Sequence, residues 1–202
     1  MTTFNGGSLL VATTNAGKLR EIRELLSGLP VHLLSLADLP SVDAPEETGA
    51  TFLENARLKA TYYAEQTGLM VVAEDSGLEI DALDGAPGIY SARYGGEGTR
   101  YEEKFALIEA ALAKVPKRPR TARFVCALVL ASPDGVRFET RGTVEGEIAR
   151  EARGTGGFGY DPIFFYPPFG CSLAEAGARK SEVSHRAEAF RALRRFLQAP
   201  SA

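Results

Sequence analysis

The stretch LLVATTNAGKLREIRELL, residues 9–26, sets the fold class that this chain is expected to adopt. Residues 9–12 form a short apolar run, which predicts a buried strand. After the polar turn at residues 13–15, leucine and isoleucine recur with the spacing of one helix face, so we expect a helix that begins near Asn15 or Ala16. A strand that leads through a short turn into a helix is the building unit of α/β proteins.

The next part of the chain repeats this alternation. Thr51 and Glu54 have the spacing of a capping box, and the apolar stripe that follows them predicts a second helix. Residues 69–73 are again apolar and predict a second strand. We expect this strand to end at the polar sequence EDSG, residues 74–77, after which residues 78–82 alternate as a strand with one wet face.

The second half of the chain adds an antiparallel element. Thr99 and Glu102 predict the capping box of another helix. Two strand-like runs follow, Thr121–Ala131 and Val136–Ala149, and the sequence SPDG at residues 132–135 is typical of a tight turn between them. A hairpin is antiparallel whereas βα units favour parallel pairing, so the pattern predicts an α/β fold with a mixed sheet.

Composition limits the classes of protein that remain. The chain has 202 residues, of which 45% are hydrophobic, so we expect a single α/β domain spanning residues 1–202, built as one body or as two lobes sharing a core. The net charge is −3, which excludes an overall basic field that would recruit nucleic acid. The basic cluster at residues 114–123 contains two prolines and is interpreted as a solvated linker.

Cysteine usage and hydropathy predict a cytoplasmic protein with no membrane partner. Cys126 and Cys171 are far apart and form no Cys-x-x-Cys pair, which argues against zinc or redox chemistry and fits a reducing compartment. The N-terminal sequence has no basic region and only a short apolar run, so we expect no signal peptide. No segment is apolar for long enough to span a bilayer.

The turn TTNAGK, residues 13–18, is the first candidate site. A P-loop would need glycine where Ala12 stands and serine or threonine where Leu19 stands, so that motif is excluded. The turn nevertheless presents hydroxyls, an amide and free backbone N–H groups at a helix N-terminus, with Lys18 in the first turn, and such an arrangement binds anions. A capped helix with a surface lysine explains the same residues equally well.

Two acidic segments form the second candidate site. Glu74 and Asp75 follow an apolar strand, and Glu46 and Glu47 precede the second predicted helix. Mg²⁺ takes carboxylate oxygens, keeps several waters and bridges to phosphates, so two acidic loops beside a phosphate site predict a magnesium site. Solvated acids in two ordinary turns are the alternative reading of the same residues.

A glycine-rich run that carries aromatic side chains, GTGGFGYDP at residues 154–162, is the third candidate. Glycines permit close approach of the backbone to a ligand, Phe158 is suited to stack on a base, and Asp161 is suited to accept a hydrogen bond from a ring N–H. His185 and Arg186 lie in the first turn of the last predicted helix. Cations there oppose the helix dipole, which indicates an anionic or acceptor-rich partner.

Taken in order along the chain, these motifs resemble the inosine/xanthosine triphosphate pyrophosphatase family. The matching segments are ATTNAGK (12–18), EETGATFLENARLKA (46–60), EDSGLEIDALDGAPGIYSARY (74–94), GTGGFGYDPIF (154–164) and SHRAEAF (184–190). The resemblance implies Mg²⁺-dependent cleavage of ITP, dITP and XTP between the α and β phosphates, which yields a monophosphate and pyrophosphate. It also implies an elongated fold with a long mixed twisted sheet flanked by helices, two lobes around a central cleft, and a homodimer.

The resemblance further implies roles for individual residues. It makes Asp75 the catalytic acid–base residue and a magnesium ligand, with Glu46 as the other ligand and Lys18 acting on the phosphates. The implied substrate-binding residues are Thr13, Thr14, Asn15, Ala16, Gly17, Lys18, Ser76, Phe158, Gly159, Tyr160, Asp161, Lys180, His185 and Arg186. Glu74 departs from the aspartate of many bacterial relatives, so its reach to the metal stays open, as does the choice between Glu46 and Glu47.

Three other functions remain in competition. A Maf-like pyrophosphatase would act on modified pyrimidine nucleotides instead of purines. A non-catalytic nucleotide-binding regulator would release no pyrophosphate, and retention of both acidic segments argues against it. An RNA-binding module built on residues 114–123 is disfavoured because the net charge is acidic and no aromatic residues are interleaved there.

Overall fold

The computed structural model describes residues 7–199. Residues 1–6, on which the expectation of no signal peptide partly rests, lie outside the described residues. The helices are α1 (Ala16–Leu25), α2 (Phe52–Thr67), α3 (Tyr101–Ala113), α4 (Lys180–Val183) and α5 (His185–Gln198). The strands are β1 (Ser8–Val11), β2 (His32–Ser35), β3 (Met70–Ile80), β4 (Thr121–Ser132), β5 (Gly135–Ile148), β6 (Phe164–Tyr166) and β7 (Cys171–Ser172). Within the described residues, no helix is both long and apolar enough to cross a membrane.

The strands form one mixed sheet of seven strands in the order β2-β1-β3-β4-β5-β6-β7. β1 pairs in parallel with β2 and with β3, as expected where helices connect neighbouring strands. β5 and β6 pair antiparallel, as do β6 and β7. The predicted hairpin is present, since only two residues separate β4 from its sheet neighbour β5. The predicted α/β class with a mixed sheet and flanking helices is therefore confirmed.

The chain divides into two compact units. Of the described residues, the first unit contains 7–75, 126–142 and 186–199, and the second contains 76–125 and 143–185. Each unit has its own apolar core. The core of the first is centred on β1, α1 and α5, and includes Leu9, Ile22, Leu128 and Phe190. The core of the second includes Leu78, Ile108, Phe124, Tyr160 and Phe164. A single domain over residues 1–202 stays a prediction.

The two helices that position the candidate site begin where the sequence predicts. α1 begins at Ala16, and the side-chain oxygen of Asn15 accepts from the backbone N–H of Lys18 at 3.0 Å. At the start of α2, Thr51 Oγ1 accepts from the Glu54 N–H at 3.1 Å. Glu54 reaches back to the N–H of Ala50 at 2.7 Å, one residue before the N-cap, which ties the preceding loop to the helix.

Strand β3 corrects the predicted strand end at residues 74–77, because it runs unbroken from Met70 to Ile80. Glu74 and Asp75 are buried inside this strand, where they are bound by cationic and amide side chains. Such partners offset the cost of taking a carboxylate out of water. Position 77 within this strand requires glycine, because a Cβ there would lie 2.7 Å from the carbonyl oxygen of Gly88.

Helix α3 corrects a second prediction, because it begins one residue later than the Thr99–Glu102 capping box implies. Its first residue is Tyr101, and Arg100 occupies the N-cap position. Glu103 accepts from the backbone N–H of Arg100 at 3.3 Å, which supplies one half of a capping box. An arginine side chain has no acceptor atom, so the other half is not formed.

Candidate active site

The predicted phosphate turn lies at the N-terminus of α1 in the first unit. Thr14, Asn15 and Ala16 are exposed, whereas Thr13, Gly17 and Lys18 are half-buried. Thr13 Oγ1 accepts from the Asn15 N–H at 3.2 Å, so the turn is braced by its own side chains. An ordered, partly exposed turn thus precedes the N-terminus of α1, and the start of a helix is a position that favours an anion.

Behind this turn lies a buried carboxylate, Glu74, whose side chain is 1% exposed. Lys18 Nζ lies 2.9 Å from Glu74 Oε1, and Arg186 Nη2 lies 3.4 Å from the same oxygen. The Cys126 thiol donates to Glu74 Oε2 at 3.4 Å. Burial alone would raise the pKa of Glu74, but the charges of Arg186 and Lys18 outweigh it and hold that pKa well below its usual range. Glu74 is therefore ionised and fixes the lysine of the phosphate turn.

Arg186 lies deeper than its predicted role implies, with only 1% of the residue exposed. Its guanidinium contacts two carboxylates of the first unit, Glu21 at 2.6 Å and Glu74 at 3.4 Å. Donation from Arg186 to a base would compete with these contacts. Base recognition by Arg186 stays a prediction, while the structure assigns it a place in a buried ionic network.

The second acid of the EDSG sequence, Asp75, is also buried but has different partners. Asn55 Nδ2 donates to Asp75 Oδ2 at 3.3 Å, and Lys59 Nζ lies 3.5 Å from Asp75 Oδ1. Burial raises the pKa of Asp75, and the nearby Lys59 and Lys18 only partly offset this. The two adjacent acids thus differ: Glu74 is held ionised, and Asp75 binds a proton more readily than an ordinary aspartate.

The acidic loop, defined as residues 46–49, is brought to Asp75 by Lys59. Lys59 Nζ lies 2.7 Å from Glu47 Oε1 and 3.5 Å from Asp75 Oδ1, so one ammonium group bridges the two carboxylates. Glu46, the predicted metal ligand, is exposed. Among the described residues no group of three or more acidic, histidine or cysteine side chains surrounds a metal position. A pair of carboxylates that already attracts a cation fits Mg²⁺, which completes its shell with waters and substrate phosphates.

Two residues that contact Asp75 and the acidic loop, Asn55 and Lys59, were not predicted from sequence. They are four residues apart on α2 and therefore share one face of the helix. A polar Asn55 between the buried Phe52 and Ala56 is the signal that marks the position, because a fully buried amide needs hydrogen-bonding partners.

In the second unit, three of the predicted residues come together around the glycine-rich run. Asp161 is 2% exposed, and its Oδ2 accepts from the Phe158 backbone N–H at 2.9 Å and from Lys180 Nζ at 2.7 Å. Lys180 Nζ also lies 4.8 Å from the centre of the Phe158 ring. Gly157 has φ +70°, and a Cβ there would collide with the Asp161 carboxylate. Asp161 thus holds Phe158 and Lys180 in a fixed arrangement.

The remaining predicted residues of the second unit are placed differently. The Tyr160 ring lies in the apolar core, and its hydroxyl donates to the Ser91 carbonyl at 2.8 Å, while substrate binding by Tyr160 stays a prediction. His185 is buried and stacks on Phe124, with ring centres 5.0 Å apart. Gly159 has φ +69°, and Ser76 is half-buried within β3.

Comparisons with known proteins agree with this geometry. The model of the Ham1 family matches residues 9–196. A "dITP/XTP pyrophosphatase" of Geobacter sulfurreducens is 50% identical over 190 residues, covering 94% of this chain and 96% of that protein. A protein of the same name from Thermus thermophilus is 51% identical over 191 residues, covering 94% of this chain and 91% of that protein.

Solved structures give the same result for the fold. A HAM1 protein from Coxiella burnetii superposes with a TM-score of 0.86 at 39% identity, covering 94% of this chain and 98% of the other. A nucleoside-triphosphatase, dITP/XTP pyrophosphatase, from Mycobacterium abscessus superposes with a TM-score of 0.75 at 42% identity, covering 95% and 100%. The predicted resemblance is thereby confirmed, and the chain belongs to the Ham1 family.

Proposed function

We propose that this protein hydrolyses the deaminated purine nucleoside triphosphates dITP, XTP and ITP to the monophosphate and pyrophosphate. Family membership across residues 9–196 and relatives at 50% and 51% identity named dITP/XTP pyrophosphatase support the proposal. The observation that carries it is the Lys18–Glu74 ion pair at the N-terminus of α1, because Glu74 adjoins the buried Asp75. In this proposal one triphosphate is bound by Lys18 and the N-terminus of α1 and is attacked by a water that Asp75 activates.

The reaction needs a positioned water and a stabilised leaving group. Asp75 orients the water that attacks the α-phosphorus and accepts its proton, since a buried carboxylate with a raised pKa is a stronger base than an exposed one. Lys18 and the first N–H groups of α1 stabilise the charge on the departing pyrophosphate. Glu74 keeps the Lys18 ammonium in place during turnover.

The proposed cofactor is Mg²⁺, held by Asp75 and by Glu46 of the acidic loop. Glu47 is the alternative ligand, because Lys59 already bridges it to Asp75. When bound, Mg²⁺ neutralises charge on the phosphate oxygens and lowers the pKa of a bound water.

The base end of the substrate is assigned to residues of the glycine-rich run with Lys180, His185 and Arg186. Phe158 stacks on the purine, and its orientation is held by Asp161 and Lys180. Hypoxanthine and xanthine carry an acceptor at position 6 where adenine carries an amino group, so a donor there rejects ATP by about 10⁴-fold. Guanine shares that acceptor, so its rejection depends on the 2-amino group.

Assembly and location complete the proposal. We assign a homodimer on the strength of the family resemblance, and sedimentation or light scattering tests it directly. A cytoplasmic location fits the two free thiols, Cys126 and Cys171, because reducing compartments keep thiols unpaired.

A substrate panel tests the proposed function. The purified protein is given dITP, XTP, ITP, ATP, GTP, dTTP and UTP, with and without Mg²⁺, and pyrophosphate and orthophosphate are measured separately. We expect Mg²⁺-dependent release of pyrophosphate from the deaminated purines alone. Preferential turnover of the pyrimidine nucleotides would favour the Maf-like alternative, and orthophosphate as the first product would contradict cleavage between the α and β phosphates.

A further inference from the structure

Asn55, in the first unit, lies between the acidic loop and Asp75 and has no role in the proposed reaction. Asn55 is 0% exposed, and its side chain carries an amide, which is costly to bury without hydrogen-bonding partners. Gly49 donates its backbone N–H to Asn55 Oδ1 at 2.8 Å, and Asn55 Nδ2 donates to Asp75 Oδ2 at 3.3 Å. One side chain therefore joins the acidic loop to the proposed catalytic carboxylate.

The orientation of this amide follows from the chemistry of its two partners. A backbone N–H accepts nothing, so the amide oxygen faces Gly49, and a carboxylate donates nothing when ionised, so the NH₂ group faces Asp75. If the amide were flipped, its NH₂ group would face the Gly49 N–H and its oxygen would face the Asp75 carboxylate, and neither pair could form a hydrogen bond. The Asn55 side chain thus fits this pair of partners in one orientation only.

Gly49 shows that the loop is pressed against Asn55. A Cβ on Gly49 would lie 2.6 Å from Asn55 Oδ1 and 2.9 Å from the Asn55 backbone nitrogen. Its φ is not in the left-handed region, so glycine is required there by close approach and not by backbone strain. One turn further along α2, Lys59 contacts Glu47 and Asp75 in the same way.

We propose that Asn55 is a positioning residue, which latches the acidic loop at residues 46–49 to Asp75 so that both act on one divalent cation. Asn55 and Lys59 each engage one oxygen of Asp75 and one point of the loop. Two attachments fix both the distance and the orientation of the loop, whereas the lysine alone would leave it free to rotate. The cation role rests on the proposed function, but the latch itself does not.

Two variants separate the latch from a general loss of packing. Asn55→Leu keeps the volume of the side chain and removes both hydrogen bonds. Gly49→Ala displaces the loop from Asn55 and leaves every side chain of the site intact, so it tests the proposal even if Asn55→Leu does not fold. Gln66→Ala removes an exposed amide from the same helix and serves as the matched control.

The first measurement is amide hydrogen exchange without nucleotide or metal. We expect exchange at residues 46–50 to rise about tenfold or more in both variants, with β1 unchanged, because the Gly49 N–H has lost its acceptor. Exchange within twofold of wild type in both variants overturns the latch.

The second measurement is binding of Mn²⁺ alone, followed by electron paramagnetic resonance. Substitutions that disturb the support of metal ligands weaken metal binding about 10–100-fold, so we expect a change in the dissociation constant of that size in both variants. An unchanged constant overturns the cation role of the loop.

The third measurement is turnover of dITP at varied Mg²⁺. We expect the Mg²⁺ concentration that gives half-maximal turnover to rise about 10–100-fold in both variants, while KM for dITP changes less than about threefold. A purely structural role would instead reduce the active fraction without moving the Mg²⁺ midpoint, and this result counts against the proposal. If wild type binds Mn²⁺ and both variants loosen the loop, but wild type turns over no nucleotide, the latch stands and the proposed function is wrong.

Discussion

At the scale of single residues, the two adjacent acids of β3 show how burial produces opposite protonation behaviour. Glu74 and Asp75 are both buried, so desolvation acts on each to raise its pKa. Glu74 has the Lys18 and Arg186 cations within 3.4 Å and stays ionised, whereas Lys59 lies 3.5 Å from Asp75. The first acid therefore serves to hold cations, and the second is suited to take up a proton.

Replacement of Asp75 by asparagine tests its assignment as the base. We expect Asp75→Asn to reduce kcat by about 10²–10⁴-fold, because an amide cannot accept the proton of the attacking water. Nucleotide binding measured by calorimetry should remain detectable. Asp134→Asn, in the exposed hairpin turn, is the matched control. Turnover within tenfold of wild type would remove Asp75 from this role.

Replacement of Glu74 by glutamine tests the buried ionic network. We expect Glu74→Gln to lower the free energy of unfolding by about 3–5 kcal/mol, because it leaves Arg186 buried with one carboxylate fewer. Urea unfolding provides the measurement. Glu139→Gln breaks the exposed ion pair with Arg57 and should cost less than about 1 kcal/mol. Equal effects of the two substitutions would contradict the buried network.

The same network predicts a dependence on pH. The pKa of Glu74 is lowered in the folded state, so its contribution to stability is complete above the ordinary pKa of a glutamate and is lost as the pH falls towards the folded value. The stability difference between wild type and Glu74→Gln should therefore shrink in strong acid and stay constant near neutrality.

At the scale of secondary-structure elements, helix N-termini can be predicted from sequence where the capping side chain and the backbone N–H that it bonds are only a few residues apart. Thr51 caps α2 as predicted, and Asn15 caps α1 at the helix start that the sequence left between Asn15 and Ala16, because each side chain bonds an N–H three residues ahead along the chain. The continuation of β3 through residues 74–77 could not be predicted from sequence. It depends on partners from α1, α2 and α5 that neutralise the acids, and these are distant in sequence.

Loss of the N-cap of α2 should destabilise the helix and the acidic loop before it. Thr51→Ala is expected to cost about 1 kcal/mol in the free energy of unfolding, because the Glu54 N–H loses its acceptor. Thermal or urea unfolding checks this value. Thr61→Ala makes the same chemical change in the middle of α2, where alanine is the better helix former, and should not destabilise the protein.

At the scale of the whole molecule, each of the two units has an apolar core of its own hydrophobic side chains. The carboxylates of Glu47 and Asp75 already contact the Lys59 ammonium. Folding and metal-dependent activity should therefore be separable.

Removal of divalent metal tests this separation. We expect treatment with EDTA to abolish pyrophosphate release and to leave the circular dichroism spectrum unchanged, with a shift in Tm below about 4 °C, which corresponds to less than 1 kcal/mol. Readdition of Mg²⁺ should restore turnover. A protein that unfolds on chelation would show that a metal supports the structure.

The sequence by itself determined the fold class, the starts of α1 and α2, the hairpin, and the family resemblance. These features depend on residues that are close along the chain or on motifs that retain their order. Only the tertiary structure decided that Arg186 and Glu74 form a buried ionic network, that the Tyr160 ring belongs to a core, and that Asn55 and Lys59 join the acidic loop to Asp75. The physical reason is that burial and charge pairing set the state of each side chain, and both depend on neighbours that the fold brings from distant segments.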